Sequence, residues 1–355
     1  MPAKLFFKDK QTIGLDISQT GLKVMSVDAD KWLVEGYGSI DLDPAKMHDA
    51  LDNEADESEY LTENVKKLLK DNIVGQLASD HVVIGVPTGR SYSRTFSIPV
   101  KQEKNLRDAV EIEVSQYVPI PVTSLYIDYE IIERKDDMLT IIVSAVPRSL
   151  VDACLRAVRA AGLRPVMVEP GINSVARLLE ATEEGHLSTL IIDIGQAYTD
   201  IAVLDKEAIR VSGGIGIGGN TFTLDIAKRL NIPLDTAHQF KVLNGLLPSP
   251  RQAKITAALK PNLSRITAEV QKVIRYYSER LDDAGKIEQV LVVGAGSNVP
   301  GIGEYFTNEL IMPARVASPW QRLNFGQLTQ PGKQFRSRYI TVAGLASVPG
   351  KRILR

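Results

Sequence analysis

The 355 residues carry 44% hydrophobic and 24% charged side chains at a formal net charge of −1, a balance that excludes a chain too polar to build a core. That length holds two domains of ordinary size, and the near-zero charge provides no global field toward nucleic acid or an anionic membrane. A single cysteine, Cys154, excludes an internal disulfide and a Cys-rich zinc site, and none of the four histidines (His48, His81, His186, His238) forms a metal-spaced pair with another.

At the N-terminus, Leu5-Phe6-Phe7 lies among Lys4, Lys8, Asp9 and Lys10, which reads as a short edge strand and not as a signal peptide. No stretch reaches the ~18 apolar residues of a membrane span, so a cytoplasmic protein is expected. Residues 12–40 read as three strands joined by tight turns, and 44–71 as one or two helices with Leu61, Val65 and Leu68-Leu69 at helical spacing. His81–Val86 is apolar without alternation, which predicts a parallel strand covered on both faces.

From Gly89 the pattern changes. Tyr92–Ile98 predicts a strand, Gln102–Val118 an amphipathic helix stopped by Pro119 and Pro121, Tyr126–Glu133 and Met138–Val146 two more strands, and Ser149–Ala161 a helix capped by Gly162. This is a small α/β module set inside the first domain. Arg164–Glu169 then predicts a strand and Gly171–Thr182 a helix; Leu190–Arg210 predicts two or three strands, and Gly218–Leu230 a helix. Pro261–Leu281 predicts a long helix with Ile266, Val270, Ile274, Tyr277 and Leu281 on one face, Val290–Val293 a buried strand, and 337–346 a last strand and the start of a helix. In outline the pattern of 12–87 recurs after residue 190, a weak internal duplication that predicts two similar α/β lobes with a cleft between them. The predicted organisation is a first lobe (1–88), an inserted module (89–165), a return to the first lobe (166–188), a second lobe rejoining the first at its end (189–346), and a tail (347–355).

Three constellations carry chemistry. Ile13-Gly14-Leu15-Asp16-Ile17-Ser18 and Leu190-Ile191-Ile192-Asp193-Ile194-Gly195 each read as the first strand of a hairpin with an aspartate and small residues at its tip. Free turn amides suit phosphate oxygens, and a carboxylate there suits hydrated Mg²⁺, although one such hairpin alone is common. Gly213-Gly214-Ile215-Gly216-Ile217-Gly218-Gly219-Asn220-Thr221 precedes a helix and reads as an anion or ribose site, or as a loose loop with an Asn or Thr N-cap. Val293-Gly294-Ala295-Gly296-Ser297-Asn298 follows a buried strand with residues small enough for a flat ring or phosphate to approach the backbone.

In that order the three elements resemble the actin-like ATPase superfamily and its phosphate-1, phosphate-2 and adenosine motifs. Within it the chain is similar to the PilM family of type IV pilus assembly. Gly14-Leu15-Asp16-Ile17-Ser18 with Lys23 and Val24, Ile98-Pro99 before the helix closing on Tyr117-Val118-Pro119, Gly218–Thr223, and Val342-Ala343-Gly344-Leu345-Ala346 carry that likeness. The resemblance implies an α/β actin-like (ribonuclease H-like) two-lobed fold with an inserted 1C-type subdomain, as in the related FtsA proteins. It implies ATP or ADP with Mg as ligands. Asp16 and Asp193 would hold Mg through water, Ser18, Gly195 and Gln196 would lie at phosphates, and Gly218, Gly219 and Asn220 near ribose and phosphates. Gly294, Gly296 and Ser297 would line the adenosine pocket. The family's Ala-Glu-x-x-Lys nucleoside segment reads Ala237-His238-Gln239-Phe240-Lys241, so Lys241 is kept and His238 replaces a glutamate. Gln196 or a side chain near Val86-Pro87-Thr88 could orient an attacking water, but neither is a clear candidate, so slow or negligible turnover is expected.

The resemblance also implies a partner: the cytoplasmic N-terminal tail of a PilN-like bitopic membrane protein, seated in a groove of the inserted module near Tyr92, Phe96, Val118, Pro119 and Ile120. The chain would then sit at the cytoplasmic face of the inner membrane through that partner. Pilus assembly ATPases and a second copy of the chain complete the implied partner set, and no nucleic acid is expected. Two alternatives stand beside this reading, an FtsA-like membrane-associated filament and a small-molecule kinase. Against the first, Ser347–Arg355 is too short and too broken by Pro349 and Gly350 for an amphipathic membrane helix.

Overall fold

The computed structural model describes residues 11–52, 59–183, 185–250, 252–281 and 284–348. The Phe6-Phe7 segment and the tail beyond Val348 lie outside the described residues.

The chain opens with β1 (Ile13–Ser18), β2 (Gly21–Asp28) and β3 (Leu33–Asp41), an antiparallel meander, then α1 (Pro44–Asp52), α2 (Tyr60–Asp71), the short β4 (Ile73–Gly75) and β5 (His81–Val86). The inserted segment holds β6 (Tyr92–Pro99), α3 (Leu106–Tyr117), β7 (Leu125–Lys135), β8 (Met138–Pro147) and α4 (Arg148–Ala160). After it come β9 (Arg164–Pro170) and α5 (Gly171–Thr182). The second half runs β10 (Thr189–Ile194), β11 (Thr199–Asp205), β12 (Ala208–Ile215), α6 (Gly219–Leu230), α7 (Leu234–Leu243), α8 (Gln252–Arg280) and β13 (Gln289–Val293). It closes with α9 (Ile302–Leu310), β14 (Ala314–Val316), α10 (Lys333–Arg336) and α11 (Ile340–Ala346).

Two sheets result. The first has the order β4-β3-β2-β1-β5-β9, the second β14-β13-β10-β11-β12-β6-β8-β7. In each, a meander of three strands is followed by a strand that returns parallel to the first of the three: β5 on β1, β13 on β10. The duplication read from the sequence is therefore a repeat of topology. The strands of the inserted segment extend the second sheet, through one bridge between Val211 of β12 and Arg94 of β6.

Burial follows the alternation of β1. Ile13, Leu15 and Ile17 face an outer layer of α1, α2 and α4, where they pack with Leu51, Val65, Leu150 and Cys154. Burial there pushes the Cys154 thiol up to about 12, so it stays a neutral core group. The opposite face is built around α5 and α11, which lie between the two sheets with Met25 and Val27 on one side and Ile191, Ala202 and Leu291 on the other. Close approach makes this layer possible. A Cβ on Gly344 would stand 2.0 Å from the Ser174 carbonyl oxygen, and one on Gly14 2.6 Å from that of Val342. The outer face of the second sheet carries Leu190 and Ile192 against Phe222, Ile266, Val270 and Phe306.

Three sequence expectations are corrected. Helix α8 begins at Gln252, so Pro261 lies inside it and not at its start. Ile255 and Leu259 before the proline are fully buried, as are Leu263 and Ile266 after it; that continuous apolar face outweighs the ~3 kcal/mol an interior proline costs. Residues 100–105 form a 3₁₀ stretch before α3, because the Val100 N–H is held by the Asp137 carbonyl at 2.8 Å in the β7–β8 turn. Residues 337–346 contain no strand. They form a short 3₁₀ turn running into α11, whose fit against Gly14 and α5 overrides the β-branched run Ile340-Thr341-Val342.

Candidate functional site

The two aspartate hairpins end side by side. In the first, antiparallel register sets Asp16 opposite Lys23, whose ammonium donates to Asp16 Oδ2 at 2.7 Å, both side chains being buried. The turn is closed by Ser18 Oγ, which donates to the Gly21 carbonyl at 2.9 Å. In the second, register sets Asp193 opposite Asp200, and the turn is closed by the Gly195 N–H donating to the Tyr198 carbonyl at 2.8 Å. Gly294, immediately after β13, has φ +83°, and a Cβ there would lie 2.1 Å from Asp193 Oδ1. Glycine is what lets that carboxylate occupy its place.

Between the tips lies a cleft of ≈ 850 Å³, open solvent at its mouth included. Asp16, Lys23, Asp193 and Asp200 line it, with Ser18, Thr20, Gly195, Gln196 and Gly294. Thr88 to Arg90 form one wall after β5, Tyr198 another, and Arg338 and Thr341 come from the C-terminal segment. Burial, then the Asp16 charge, pushes the Asp193 carboxyl up to about 7, with Lys23 opposing. Burial, then Asp193, pushes Asp200 up to about 8, against a hydrogen bond with Thr88. Asp200 Oδ1 is buried and without a partner, as are Arg90 Nη1 and Arg338 Nε among the described residues.

This arrangement fits a hard divalent cation beside a polyanion. The donors are carboxylate oxygens, one of them an orphan, and the orphaned guanidinium nitrogens suit phosphate. Direct coordination by all three aspartates is not set up. The one group of three residues with ligand atoms mutually within 4.8 Å among the described residues is Glu180, His186 and Glu207, at the C-terminal end of α5 and outside the cleft lining. Asp16, Asp193 and Asp200 would hold Mg²⁺ through water.

Of the expected nucleoside residues Gly294 lines this cleft, whereas Gly218, Gly219, Asn220, His238, Lys241, Gly296 and Ser297 do not. Gly219, Gly296 and Lys241 meet beside it in the second lobe: a Cβ on Gly219 would be 3.5 Å from Lys241 Nζ and 3.6 Å from Gly296 Cα. Lys241 is buried and donates to the Gly219 carbonyl and to Thr223 Oγ1, both at 2.8 Å; burial pushes its ammonium down to about 8. Ser297 is also buried, its hydroxyl donating to the Gly294 carbonyl at 2.7 Å. Asn220 and His238 are exposed on α6 and α7, with His238 held below its ordinary value by partial shielding and the Lys241 charge. The glycine-rich run serves packing as well. Gly213 and Gly214 belong to β12, where a Cβ would press on Val273 and Asp200, and Gly218 lies against the Gln196 backbone. The α6 amides of Gly219 and Asn220 are taken by the Gly195 and Gln196 carbonyls at 2.9 Å each.

In the inserted segment, Val118 is buried in the core formed by Val110, Val114, Leu139 and Ile141. Tyr92, Phe96 and Ile120 are half-buried against that core, and Pro119 is exposed. Ile112, Tyr126 and Met138 are the exposed large hydrophobic side chains of this segment.

Cleft residues that the motif reading passed over are Lys23, Thr20, Arg90, Tyr198, Asp200 and Arg338. Asp200 had a signal: in a hairpin with a four-residue turn, the residue seven after Asp193 stands directly across from it. Arg338 had none, because only the tertiary fold brings it to the first hairpin, beside Asp41.

Residues 14–347 match the family described as type IV pilus assembly protein PilM. A solved PilM–PilN type IV pilus biogenesis complex aligns with a TM-score of 0.78 at 22% identity, over 98% of this chain and 100% of that one. The ethanolamine utilization protein EutJ of Carboxydothermus hydrogenoformans aligns with a TM-score of 0.54 at 18% identity, over 95% and 89% of the two chains. The cell division protein FtsA of Neisseria meningitidis is 30% identical over 179 residues, 43% of this chain and 41% of that protein, so the chain spans under half the length of this curated relative. The fold is the actin-like, two-lobed α/β fold expected from the sequence, and the chain belongs to the PilM family of type IV pilus assembly proteins.

Proposed function

We propose that this protein is a nucleotide-responsive adaptor of the type IV pilus inner-membrane platform. It binds ATP or ADP with Mg²⁺ in the cleft between its lobes and the cytoplasmic tail of a PilN-like membrane protein on the inserted segment. The observation that carries the nucleotide reading is the cleft floor: Asp16, Asp193 and Asp200 converge with one carboxylate oxygen unpartnered, and Arg90 and Arg338 stand in the wall. When bound, the Mg²⁺ ion would neutralise phosphate charge and hold the phosphates against the two tips. Lys23 neutralises part of the aspartate charge, and the orphaned nitrogens of Arg90 and Arg338 offer donors to phosphate oxygens. Gln196, the residue most suited to orient water, has its amide oxygen occupied by Thr20. Slow turnover follows, with the nucleotide acting as a closing ligand.

The partner reading is supported by family membership and by the likeness to the PilM–PilN complex. No described helix is long and apolar enough to cross a membrane, so in this reading attachment runs through the partner. Calorimetry of Mg·ATP against wild type and Asp193→Ala tests the nucleotide site. Saturable binding to wild type, weakened at least tenfold in the variant, is the expected result; equal affinities would remove Asp193 from the site.

A further inference from the structure

Arg94 lies where three parts of the chain meet. It belongs to β6, the strand that joins the inserted segment to the second sheet, and it forms that bridge itself with Val211. Its guanidinium lies over two rings, with Cζ 4.5 Å from the centroid of Tyr117 and 4.5 Å from that of Tyr276. Nε donates to the Tyr276 hydroxyl. Tyr117 is the last residue of α3, and Tyr276 lies on α8, the long helix of the second lobe. The Tyr117 hydroxyl is buried without a partner, so the ring is held there by its stacking and packing.

The same strands reach the cleft. Three residues beyond Val211, Gly214 stands opposite Asp200 in the β11–β12 ladder, and a Cβ on it would be 3.1 Å from Asp200 Oδ1. At the start of the segment, Gly89 packs on the Tyr198 ring, where a Cβ would be 3.0 Å from Cδ1. A change at the tip of the second hairpin therefore meets β6 along two routes.

We propose that Arg94 is the positioning residue that couples the nucleotide cleft to the inserted segment. Its two tyrosines ride on different bodies, Tyr117 with α3 and Tyr276 with α8. One guanidinium contacts both rings at once and also donates to the Tyr276 hydroxyl, so α3 follows when β12 and α8 shift with the second lobe. A lysine keeps the charge but has no plane to stack, which makes Arg94→Lys the informative change. The proposal rests on the nucleotide reading above, and it makes that cleft the regulator of the segment to which the partner tail is assigned.

Hydrogen–deuterium exchange of the full chain, with and without Mg·ADP and Mg·AMPPNP, tests it. In wild type, at least one nucleotide should slow exchange at both hairpins (13–28 and 189–205) and change exchange across α3 to β8 (106–147). Arg94→Lys and, from the opposite side, Tyr276→Leu should keep the hairpin response and lose at least half of the response at 106–147. Tyr117→Phe, which keeps both rings, should behave as wild type. An undiminished response at 106–147 in both variants, or hairpin protection in wild type with no response there, would overturn the coupling. No protection anywhere in wild type would overturn the nucleotide reading and the coupling with it.

Discussion

Thr20 Oγ1 donates a hydrogen bond to Gln196 Oε1 at 2.7 Å, joining the turn of the first aspartate hairpin to the turn of the second across 176 residues of sequence. A part-buried neutral bond of this kind contributes about 1 kcal/mol, too little to hold the lobes shut but enough to bias them. Thr20→Val removes it with little change in shape. The variant should melt within about 2 °C of wild type and release a fluorescent nucleotide several-fold faster. Unchanged release in stopped-flow displacement would mean the bond does not act as a latch.

The two raised carboxyls give the cleft a pH signature. Asp193 and Asp200 stand at about 7 and about 8 in the folded chain, above the ordinary carboxylate value of 3.8. A raised folded pKa means stability that is fully present below the unfolded value and is lost as pH rises toward the folded one. The ligand-free protein should therefore lose stability from about pH 4 to pH 8. Lys241, pushed down to about 8, changes only above that window, and the lowered His238 acts in the opposite sense, below the ordinary histidine value. Comparison with Asp200→Asn isolates the aspartates. That variant should be more stable than wild type at pH 8, by on the order of 1–2 kcal/mol, and indistinguishable at pH 4. Denaturant melts showing equal stabilities at pH 8 would contradict the assignment.

Binding should show the same protons. A cation in the cleft favours the charged carboxylates, so uptake of Mg·ATP releases protons near pH 7 and tightens between pH 6 and 8.5. Titrations in buffers of different ionisation enthalpy measure the release directly. Asp200→Asn should cut it by roughly half and weaken Mg-dependent affinity about tenfold. Proton release equal to wild type would show that Asp200 does not titrate with the ligand.

The contact between α5 and α11 sets a steric test. A methyl group on Gly344 would stand 2.0 Å from the Ser174 carbonyl oxygen, closer than packed atoms tolerate. Gly344→Ala must push the helices apart, at a cost of about 3 kcal/mol. Gly162→Ala, at φ +87° with nothing within 4 Å of the new Cβ, isolates backbone strain and should cost about 1 kcal/mol. Thermal melts that rank the two in the opposite order would show that the α5–α11 layer gives way easily.

Local signals carried most of the fold. The hairpins around Asp16 and Asp193, the buried runs of β5 and β13, and the Pro119 stop after α3 could be read because each depends on near neighbours in sequence. The reading failed where distant contacts decide. Ile340-Thr341-Val342 looks like a strand until Gly14 and Ser174 offer a surface that only a helix fits. Gly213 and Gly214 look like a phosphate loop, yet their missing side chains make room for Val273 and Asp200. Arg338 reaches the cleft by folding alone. That the sheet of the inserted segment would join β12, and not stand apart, left no trace in periodicity, since a single bridge makes the connection.

The helix pair between the sheets also fixes the order in which this chain can finish folding. Met25 and Val27 of the first sheet are covered by a layer that includes residues from Ile340 to Ala346. During synthesis the first lobe and the inserted segment leave the ribosome long before that helix does. Until α11 arrives, α5 alone cannot complete the cover over the inner face of β1 to β3. The two lobes should therefore reach the native state in one late cooperative step, and a cut made between them would leave two incomplete proteins.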